Sequence, residues 1–461
     1  MTCHNVCTYK LSMTILRQCI KIQICAIIIP HSGTIYELSN FDPRLVLKSS
    51  MNVIRILFHI FNALLLFHAA YFGIFGLWGL FRKRHVYADA SRLRRFAVLI
   101  PARNEETVIG NLVDSIKETD YPAELLDTYV IVNHCSDNTG GIAKDRGARV
   151  IDCTADTRSK ADVLRFAFDL LAADKSIDAY VVFDADNIVD TAFFTEVNKA
   201  LDTGVPAVQC RRTGKSIRSN WIASCYEMYY AMQNAYFNHP RNAAGLSASV
   251  NGTGWAVTKD VIDSDGFAFD TITEDFEMTI RYAIDGHRVA YCSKALVYDE
   301  FTHDFRVSII QRLRWTFGMV QCLKKFEGEL IRKALRGSKQ CFDAAMLDIL
   351  PLVMLLTLFA SALAYFVLEI PINFALFFLG LAVSFWAGMS LSALVAMLKS
   401  GSSVTKNIKG IIAFPVFILT WVPILIVCFF RRKVEWTPIK HDQAVSIKDE
   451  KNNQHEEDPT D

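Results

Sequence analysis

Hydrophobic and polar positions divide the chain into stretches of two kinds. From Ile56 to Phe81 apolar residues run on, with IFNALLLFHAAYFGIFGLWGLF at the heart and only neutral His and Asn interrupting. At about 1.5 Å of rise per residue this predicts a helix long enough to cross a bilayer. Three more such segments follow at about Met346 to Leu368, Phe374 to Leu398 and Ile411 to Phe430. The first two are joined by a short E-I-P-I-N turn and read as a membrane hairpin. The third carries Pro415 and Pro423, so a kinked or re-entrant segment competes with a full span. Basic residues flank it on both sides, Lys399, Lys406 and Lys409 before and Arg431, Arg432 and Lys433 after, so both ends look cytoplasmic.

Between Phe96 and about Cys341 the pattern changes to apolar runs of four or five residues separated by helix-like stretches, the signature of an α/β domain. The strand candidates are FAVLIP (96–101), TYVIVN (128–133), ARVIDC (148–153), AYVVFDAD (179–186) and VAYC (289–292). VIGNLVDSIKET, between the first two, has apolar residues at helical spacing.

Charge orients this layout. Arg82, Lys83, Arg84, Arg92, Arg94 and Arg95 follow the first apolar run, and such a flank belongs on the cytoplasmic side. The organisation expected is an irregular extension over 1–50, a membrane helix over 51–82, a cytosolic domain over 83–345, a membrane region of two or three segments over 346–433, and a polar, disordered tail over 434–461. The extension crowds Cys3, Cys7, Cys19 and Cys25 without a signal-peptide pattern, and Met51 directly before the first membrane helix is expected to be the natural start. With 49 basic and 48 acidic side chains the whole chain is no polycation, which argues against a nucleic-acid partner. Twelve cysteines without a repeated C-x-x-C spacing suggest neither a zinc module nor a disulfide framework, and Cys135, Cys153, Cys210, Cys225, Cys292 and Cys322 read as small buried thiols.

Candidate chemistry lies at predicted strand ends. Asp184-Ala185-Asp186 closes the strand AYVVF, where two carboxylates two residues apart can share a hard divalent cation with phosphate oxygens. Pro101-Ala102-Arg103-Asn104-Glu105-Glu106 ends the first strand, and Asn133-His134-Cys135-Ser136-Asp137-Asn138-Thr139 ends the second. One such cluster is usually a turn; three on one rim suggest a nucleotide site. Thr273-Glu274-Asp275 precedes a helical stretch, so helix capping competes with chemistry there. Gln311-Arg312-Leu313-Arg314-Trp315 lies on a helix on which Gln311 and Arg314 share a face, against the alternative of a basic helix resting on anionic lipid. Gly252, Thr253 and Gly254, within N-G-T-G-W, read as an acceptor-site loop or a plain turn, and Tyr226, Tyr229, Tyr230 and Tyr236 as packing rather than a sugar-binding wall.

The ordered set P-A-R-N-E, S-D-N-T, D-A-D, T-E-D and Q-R-L-R-W, spread over Phe96 to Trp315, resembles the membrane-integrated family 2 glycosyltransferases, relatives of cellulose, chitin, hyaluronan and poly-N-acetylglucosamine synthases. Lys160-Ala161-Asp162 resembles a further donor-site motif of that family. The resemblance implies a GT-A fold, a UDP-sugar donor (UDP-GlcNAc or UDP-glucose), and Mg²⁺ or Mn²⁺. By matching positions, Ala102, Glu105, Asn133 and Asp137 would hold the uridine, with Asn133 standing where the family often has an aspartate. Asp184 and Asp186 would hold donor diphosphate and metal, and Asp275 would be the general base. Gln311 and Arg314 would line the diphosphate; Glu274 and Trp315 would join the glycine-rich loop at the acceptor end. The function implied is inverting transfer to a growing polysaccharide at the cytoplasmic face of the cell membrane by an integral, multi-pass protein among membrane lipids. A lipid acceptor is the close alternative. A non-catalytic scaffold is the alternative of another class, against which Asp137, Asp184, Asp186 and Asp275 are all present.

Overall fold

The computed structural model describes residues 43–215, 220–434 and 448. The chain divides into two units, 1–60 and 61–461. The expectations for residues 1–42, and for nearly all of the polar tail, lie outside the described residues. The first described element is α1 (Pro43–Leu80), so a boundary at Met51 falls inside a helix.

Downstream of a basic, non-helical stretch the chain alternates strands and helices as β1 (Phe96–Ala102), α2 (Ile109–Lys117), β2 (Leu126–Val132), α3 (Thr139–Asp145), β3 (Arg149–Asp152), α4 (Lys160–Leu171), β4 (Ala179–Val182), β5 (Ile188–Val189) and α5 (Phe193–Leu201). It continues through β6 (Ala207–Gly214), α6 (Trp221–Met232), a π-helical turn (Gln233–Asn238), α7 (His239–Ala243), β7 (Trp255–Thr258), α8 (Lys259–Asp265), α9 (Glu274–Asp285) and β8 (Val289–Asp299). The strands form one eight-stranded sheet in the order β3-β2-β1-β4-β7-β6-β8-β5. Its first four strands are parallel; β7 runs antiparallel to both β4 and β6, and β6 is parallel to β8.

The alternation along β1 shows why this half forms. Phe96, Val98 and Ile100 pack on one face with Ile109, Leu112 and Ile116 of α2, while Ala97 and Leu99 pack on the other with Val163, Leu164 and Phe168 of α4. A strand covered on both faces needs a continuous apolar run, and each large apolar side chain fully buried stabilises by about 1.5–3 kcal/mol. The strand β6 lacks that signature, since it buries Gln209 and Arg212 among its apolar residues, and β5 and β7 are runs of only two and four residues. β8 extends beyond VAYC to Asp299, and β4 stops at Val182, leaving Asp184 and Asp186 in the turn after the strand.

The remaining helices are α10 (Phe305–Leu335), α11 (Lys339–Asp348), α12 (Leu350–Val367), α13 (Phe374–Ser400), α14 (Val404–Leu419) and α15 (Trp421–Phe430). Four helical stretches are long and apolar enough to cross a membrane: Met51–Leu80, Leu350–Val367, Phe374–Ser400 and Val404–Phe430. On α13, Leu376, Leu379, Val383 and Leu391 are each more than half exposed, a surface that fits hydrocarbon rather than water. The last stretch is interrupted at Thr420, with Pro415 inside α14 and Pro423 in the first turn of α15, positions at which proline removes a helical hydrogen bond. α14 seats against α6 at Gly410, where a β-carbon would overlap Ser224, and Phe414 and Phe417 join Tyr226 and Met228 in one apolar cluster.

Candidate active site

The rim begins where β1 and β2 end. Asn104 and His134 turn the chain there with φ of 59° and 52°, a left-handed conformation in which both residue types are enriched. Asn104 Oδ1 accepts from the Ser136 backbone N–H at 2.8 Å. Asp137 accepts from the backbone N–H of Glu106 at 3.1 Å and from the hydroxyl of Thr139 at 2.5 Å, and Thr139 Oγ1 accepts in turn from the Glu105 N–H at 2.8 Å. Burial pushes the Asp137 carboxyl up, but the bonds from Thr139 and Glu106 outweigh it and the net shift is downward. The S-D-N-T cluster is therefore a clip between two strand-end loops.

Beside this clip lies a cavity of about 170 Å³ lined by Ala102, Glu105, Asn133, Asp184, Asp186, Gln311 and Arg314, together with Arg103, Lys160, Arg212, Asp299 and Glu300. Seven of the residues proposed from sequence thus share one wall, although α10 lies more than a hundred residues beyond the D-A-D turn. Asp137 does not line it. Asn133 is buried and accepts from the Thr157 hydroxyl at 2.8 Å.

Lys160 is the hub. S-K-A-D is first a capping box, with Ser159 accepting from the Asp162 N–H and Asp162 accepting in return. This starts α4 so that Lys160, in its first turn, reaches across the sheet end. Its ammonium donates to Asp184 Oδ1 at 2.5 Å and to the Gly252 carbonyl at 2.7 Å, and stands 3.8 Å from Glu274 Oε1. Burial lowers the ammonium, yet Asp184 and Glu274 more than restore it, and Lys160 keeps its charge.

The D-A-D turn is held from behind. The Asp184 N–H donates to Asn187 Oδ1 at 3.1 Å and to Thr253 Oγ1 at 3.0 Å, and the buried Thr253 hydroxyl donates to Asn187. Asn187 Nδ2 donates to Asp299 Oδ1 at 2.8 Å. Arg212 pairs with the other oxygen of Asp299 through Nε at 2.8 Å, donates to the Asn251 carbonyl at 2.8 Å, and lies 4.4 Å over the Tyr230 ring. Thr253 thus positions Asp184. Gly254 has φ of 62° and would drive a β-carbon into Val297, 2.7 Å away.

Asp275 sits in the first turn of α9. The N-cap is Thr273, which makes no side-chain cap bond, and Asp275 Oδ1 accepts from the Phe276 N–H at 2.8 Å. A β-carbon on Gly252, where φ is 80°, would lie 3.4 Å from Asp275 Oδ2. Burial raises the Asp275 carboxyl, with the Phe276 N–H, Lys160 and Arg212 opposing and the net shift upward. Burial also raises Glu274, against Lys160. Burial lowers the Arg314 guanidinium, against the fields of Glu274, Asp184 and Asp275.

The Q-R-L-R-W helix splits its residues between two tasks. Gln311 and Arg314 face the cavity. Arg312 is fully buried on the other side, donating to the Phe417 carbonyl at 3.0 Å and Thr420 Oγ1 at 2.7 Å, with its guanidinium 4.1 Å from the Phe417 ring and 4.9 Å from that of Trp421. Trp315 lies nearly parallel to Tyr229 at 6.5 Å and edge-on to Tyr226 at 5.9 Å. Tyr226 and Tyr230 are buried and Tyr236 donates to the Ser392 carbonyl at 2.7 Å, so three of the four tyrosines pack the core and its contact with α13.

Asp184 and Asp186 offer hard carboxylate oxygens, and among the described residues no group of three or more His, Cys, Asp or Glu side chains could hold a metal ion. Such a pair fits a hard divalent cation that takes its other ligands from phosphate oxygens and water. The residues that sequence reasoning missed are Arg212 and Asp299; V-Y-D-E at the end of β8 carried the strand-end carboxylate signal already visible in D-A-D.

Sheet, rim and cavity together define a nucleotide-sugar-binding α/β domain of the GT-A kind. The comparisons agree: residues 94–318 match the model of the family described as "Glycosyltransferase like family 2", and this part of the chain is a family 2 glycosyltransferase domain. Among curated proteins, the chain is 24% identical over 269 residues to a probable glycosyltransferase, YdaM, of Bacillus subtilis (strain 168), covering 55% of this chain and 62% of that one. It is 26% identical over 275 residues to a β-monoglucosyldiacylglycerol synthase of Trichormus variabilis, covering 58% and 57%. The chain therefore spans less than two thirds of the length of these relatives. Among solved structures, the mannosyltransferase PcManGT of Pyrobaculum calidifontis, in complex with GDP-Man and Mn²⁺, superposes with a TM-score of 0.52 at 19% identity, covering 76% of this chain and 98% of that one, a likeness of fold.

Proposed function

We propose that this protein is an inverting glycosyltransferase that moves a sugar from a UDP-sugar to a growing polysaccharide at the cytoplasmic face of the membrane. The observation that carries the reading is the single cavity in which Asp184, Asp186, Lys160, Gln311 and Arg314 converge, with Asp275 close enough to feel Lys160, Arg212 and Asp184. Ala102, Glu105 and Asn133 hold the uridine, while Asp137 keeps their loops in register. Lys160 and Arg314 face the diphosphate and offset the charge that grows on it as the glycosidic C–O bond breaks. Asp275 takes the proton of the acceptor hydroxyl as that oxygen bonds to the anomeric carbon from the opposite side. A carboxylate raised by burial is better matched to that task than an ordinary one. Asp184 and Asp186 would hold Mg²⁺ or Mn²⁺, which when bound supplies further charge neutralisation at the diphosphate. The Mn²⁺ complex of the mannosyltransferase supports a divalent cation.

The four apolar helices support a multi-pass membrane protein, and the Arg82 to Arg95 flank supports a cytosolic domain. A lipid acceptor is the second reading, favoured by the relative named for glucosyldiacylglycerol synthesis. Membranes containing the protein, incubated with a panel of labelled nucleotide sugars, give long polymer under the first reading and a single glycolipid band under the second. No transfer from any nucleotide sugar refutes both.

A further inference from the structure

A second cavity, of about 60 Å³, lies between the last turn of α1 at Gly79 and Leu80 and the last turn of α13 at Lys399 and Ser400, against β6, β8 and the π-helical turn. It has room for roughly four to six water-sized groups. Its wall carries Arg82, Arg84, Arg211, His239 and Lys399, and no carboxylate is among its described lining residues. Arg84 Nη2 donates to the Lys399 carbonyl at 2.5 Å and Arg211 Nη2 to the Ser400 carbonyl at 2.6 Å. Each guanidinium spends one of its five N–H donors on these tethers. Burial lowers both Arg84 and His239; Arg211 lowers Arg84 further, and on His239 the bond with the Arg82 carbonyl opposes burial while Arg84, His85 and Lys399 add to it, leaving the net shift downward. The local field is positive, offset in part by the C-terminal carbonyls of α13 that the two guanidiniums hold.

The sheet is distorted to build this wall. The β6 and β8 pairing jumps from Cys210–Cys292 to Arg211–Leu296, so 293–295 bulge from β8. Bulges re-aim side chains. Ser293, thrown out by the bulge, lines the cavity; it is only 6% exposed and its hydroxyl has no hydrogen-bond partner among the described residues. On the π-helical turn, Asn234 lines the same cavity. Arg211 and Arg212, adjacent on β6, send one guanidinium into each of the two cavities. An unpartnered buried hydroxyl costs about 1–3 kcal/mol, and here it faces a ring of cations with no anion among them.

We propose that this cavity binds a phosphate group, and that the group is the headgroup phosphate of an anionic membrane lipid. Guanidinium groups recognise phosphate oxygens through paired, charge-assisted hydrogen bonds, Ser293 supplies a neutral donor, and basic pockets between membrane helices recognise such headgroups. The assignment of the lipid rests on the membrane reading above, because both bounding helices end at this level.

The full chain is reconstituted in nanodiscs of phosphatidylcholine with or without phosphatidic acid, then extracted, and the lipid it retains is measured by native mass spectrometry. Retention of phosphatidic acid over phosphatidylcholine is expected to be about tenfold or more, as two or three charge-assisted hydrogen bonds imply. The double variant Arg84→Gln/Arg211→Gln is expected to lose that preference. Lys399→Gln, which removes a charge without cutting either tether, lowers it, whereas Lys83→Gln, on the same flank outside the cavity wall, leaves it intact. UDP binding in each variant reports that the domain is folded. If inorganic phosphate at millimolar concentration stabilises the detergent-solubilised protein but not these variants, and lipids show no preference, the phosphate site stands and its source is soluble. If neither probe separates the wild type from Lys399→Gln and the double variant, the proposal is wrong. Failure to enter nanodiscs at all would instead refute the membrane reading.

Discussion

Replacing Asp275 by Asn changes one atom at the point where proton transfer is assigned and leaves the surroundings nearly as they were. The asparagine oxygen still accepts from the Phe276 N–H, a bond now 2.8 Å long. The helix is not uncapped, because Thr273 is the N-cap. Loss of a negative charge from the first turn of α9 costs roughly 0.3–1 kcal/mol through the helix dipole, and relief of the repulsion with Glu274 offsets part of that. Loss of a general base, by contrast, is worth about 10²- to 10⁴-fold, or about 2.7–5.4 kcal/mol on the barrier. The two quantities separate cleanly. Turnover with saturating UDP-sugar, the dissociation constant for UDP and the thermal midpoint are measured on the same preparations. Turnover is expected to fall by about 10²-fold or more with UDP affinity and midpoint almost unchanged. A variant that binds UDP normally and turns over within about threefold of wild type, well short of the loss expected for a general base, would sink the assignment and move attention to Glu274.

Replacing Asp184 or Asp186 by Ala, or adding excess chelator to the wild type, is expected to abolish transfer from the donor; full activity in chelator refutes the metal reading. Lys160→Met leaves Asp184 and Glu274 without their shared cation; because the lysine is 18% and Asp184 34% exposed, we expect a stability loss of about 1–3 kcal/mol, below that of a fully buried pair, together with weaker UDP binding by calorimetry, and an unchanged midpoint counts against the hub. Turnover is expected to rise with pH through an apparent pKa above the ordinary carboxylate range, since a raised Asp275 must lose its proton before it can accept one. Stability runs the other way: the raised Glu274 and Asp275 bind protons more tightly folded than unfolded, so their contribution is complete below the unfolded pKa and is lost as pH climbs through the folded values. Turnover and midpoint followed over the same pH series check both signs.

The parallel half of the sheet was legible because strands covered on both faces must be apolar throughout, and FAVLI and AYVV are. In the other half only the start of β8, VAYC, was legible. β6 reads A-V-Q-C-R-R-T-G, and the reason its polar residues are tolerated in the interior lies 87 positions away, where Asp299 meets Arg212. No spacing rule reaches that far. At the site, strand ends told where carboxylates would gather, and the i, i+3 relation told that Gln311 and Arg314 share a face. What a side chain does with its hydrogen bonds was not readable. Asp137 spends its oxygens holding two loops together, and Thr253 spends its hydroxyl behind Asp184.

Arg312 has a mechanical consequence. On one side of α10 stand Gln311 and Arg314, in the cavity wall; on the other, Arg312 lies over the rings of Phe417 and Trp421 and donates to the Phe417 carbonyl and to Thr420 at the break between α14 and α15. The interruption at Thr420 is gripped by the same helix that presents the cavity's guanidinium. One planar side chain thus ties the helix that carries Arg314 to the junction of two apolar helices, so a shift of that junction is expected to be felt at the cavity wall.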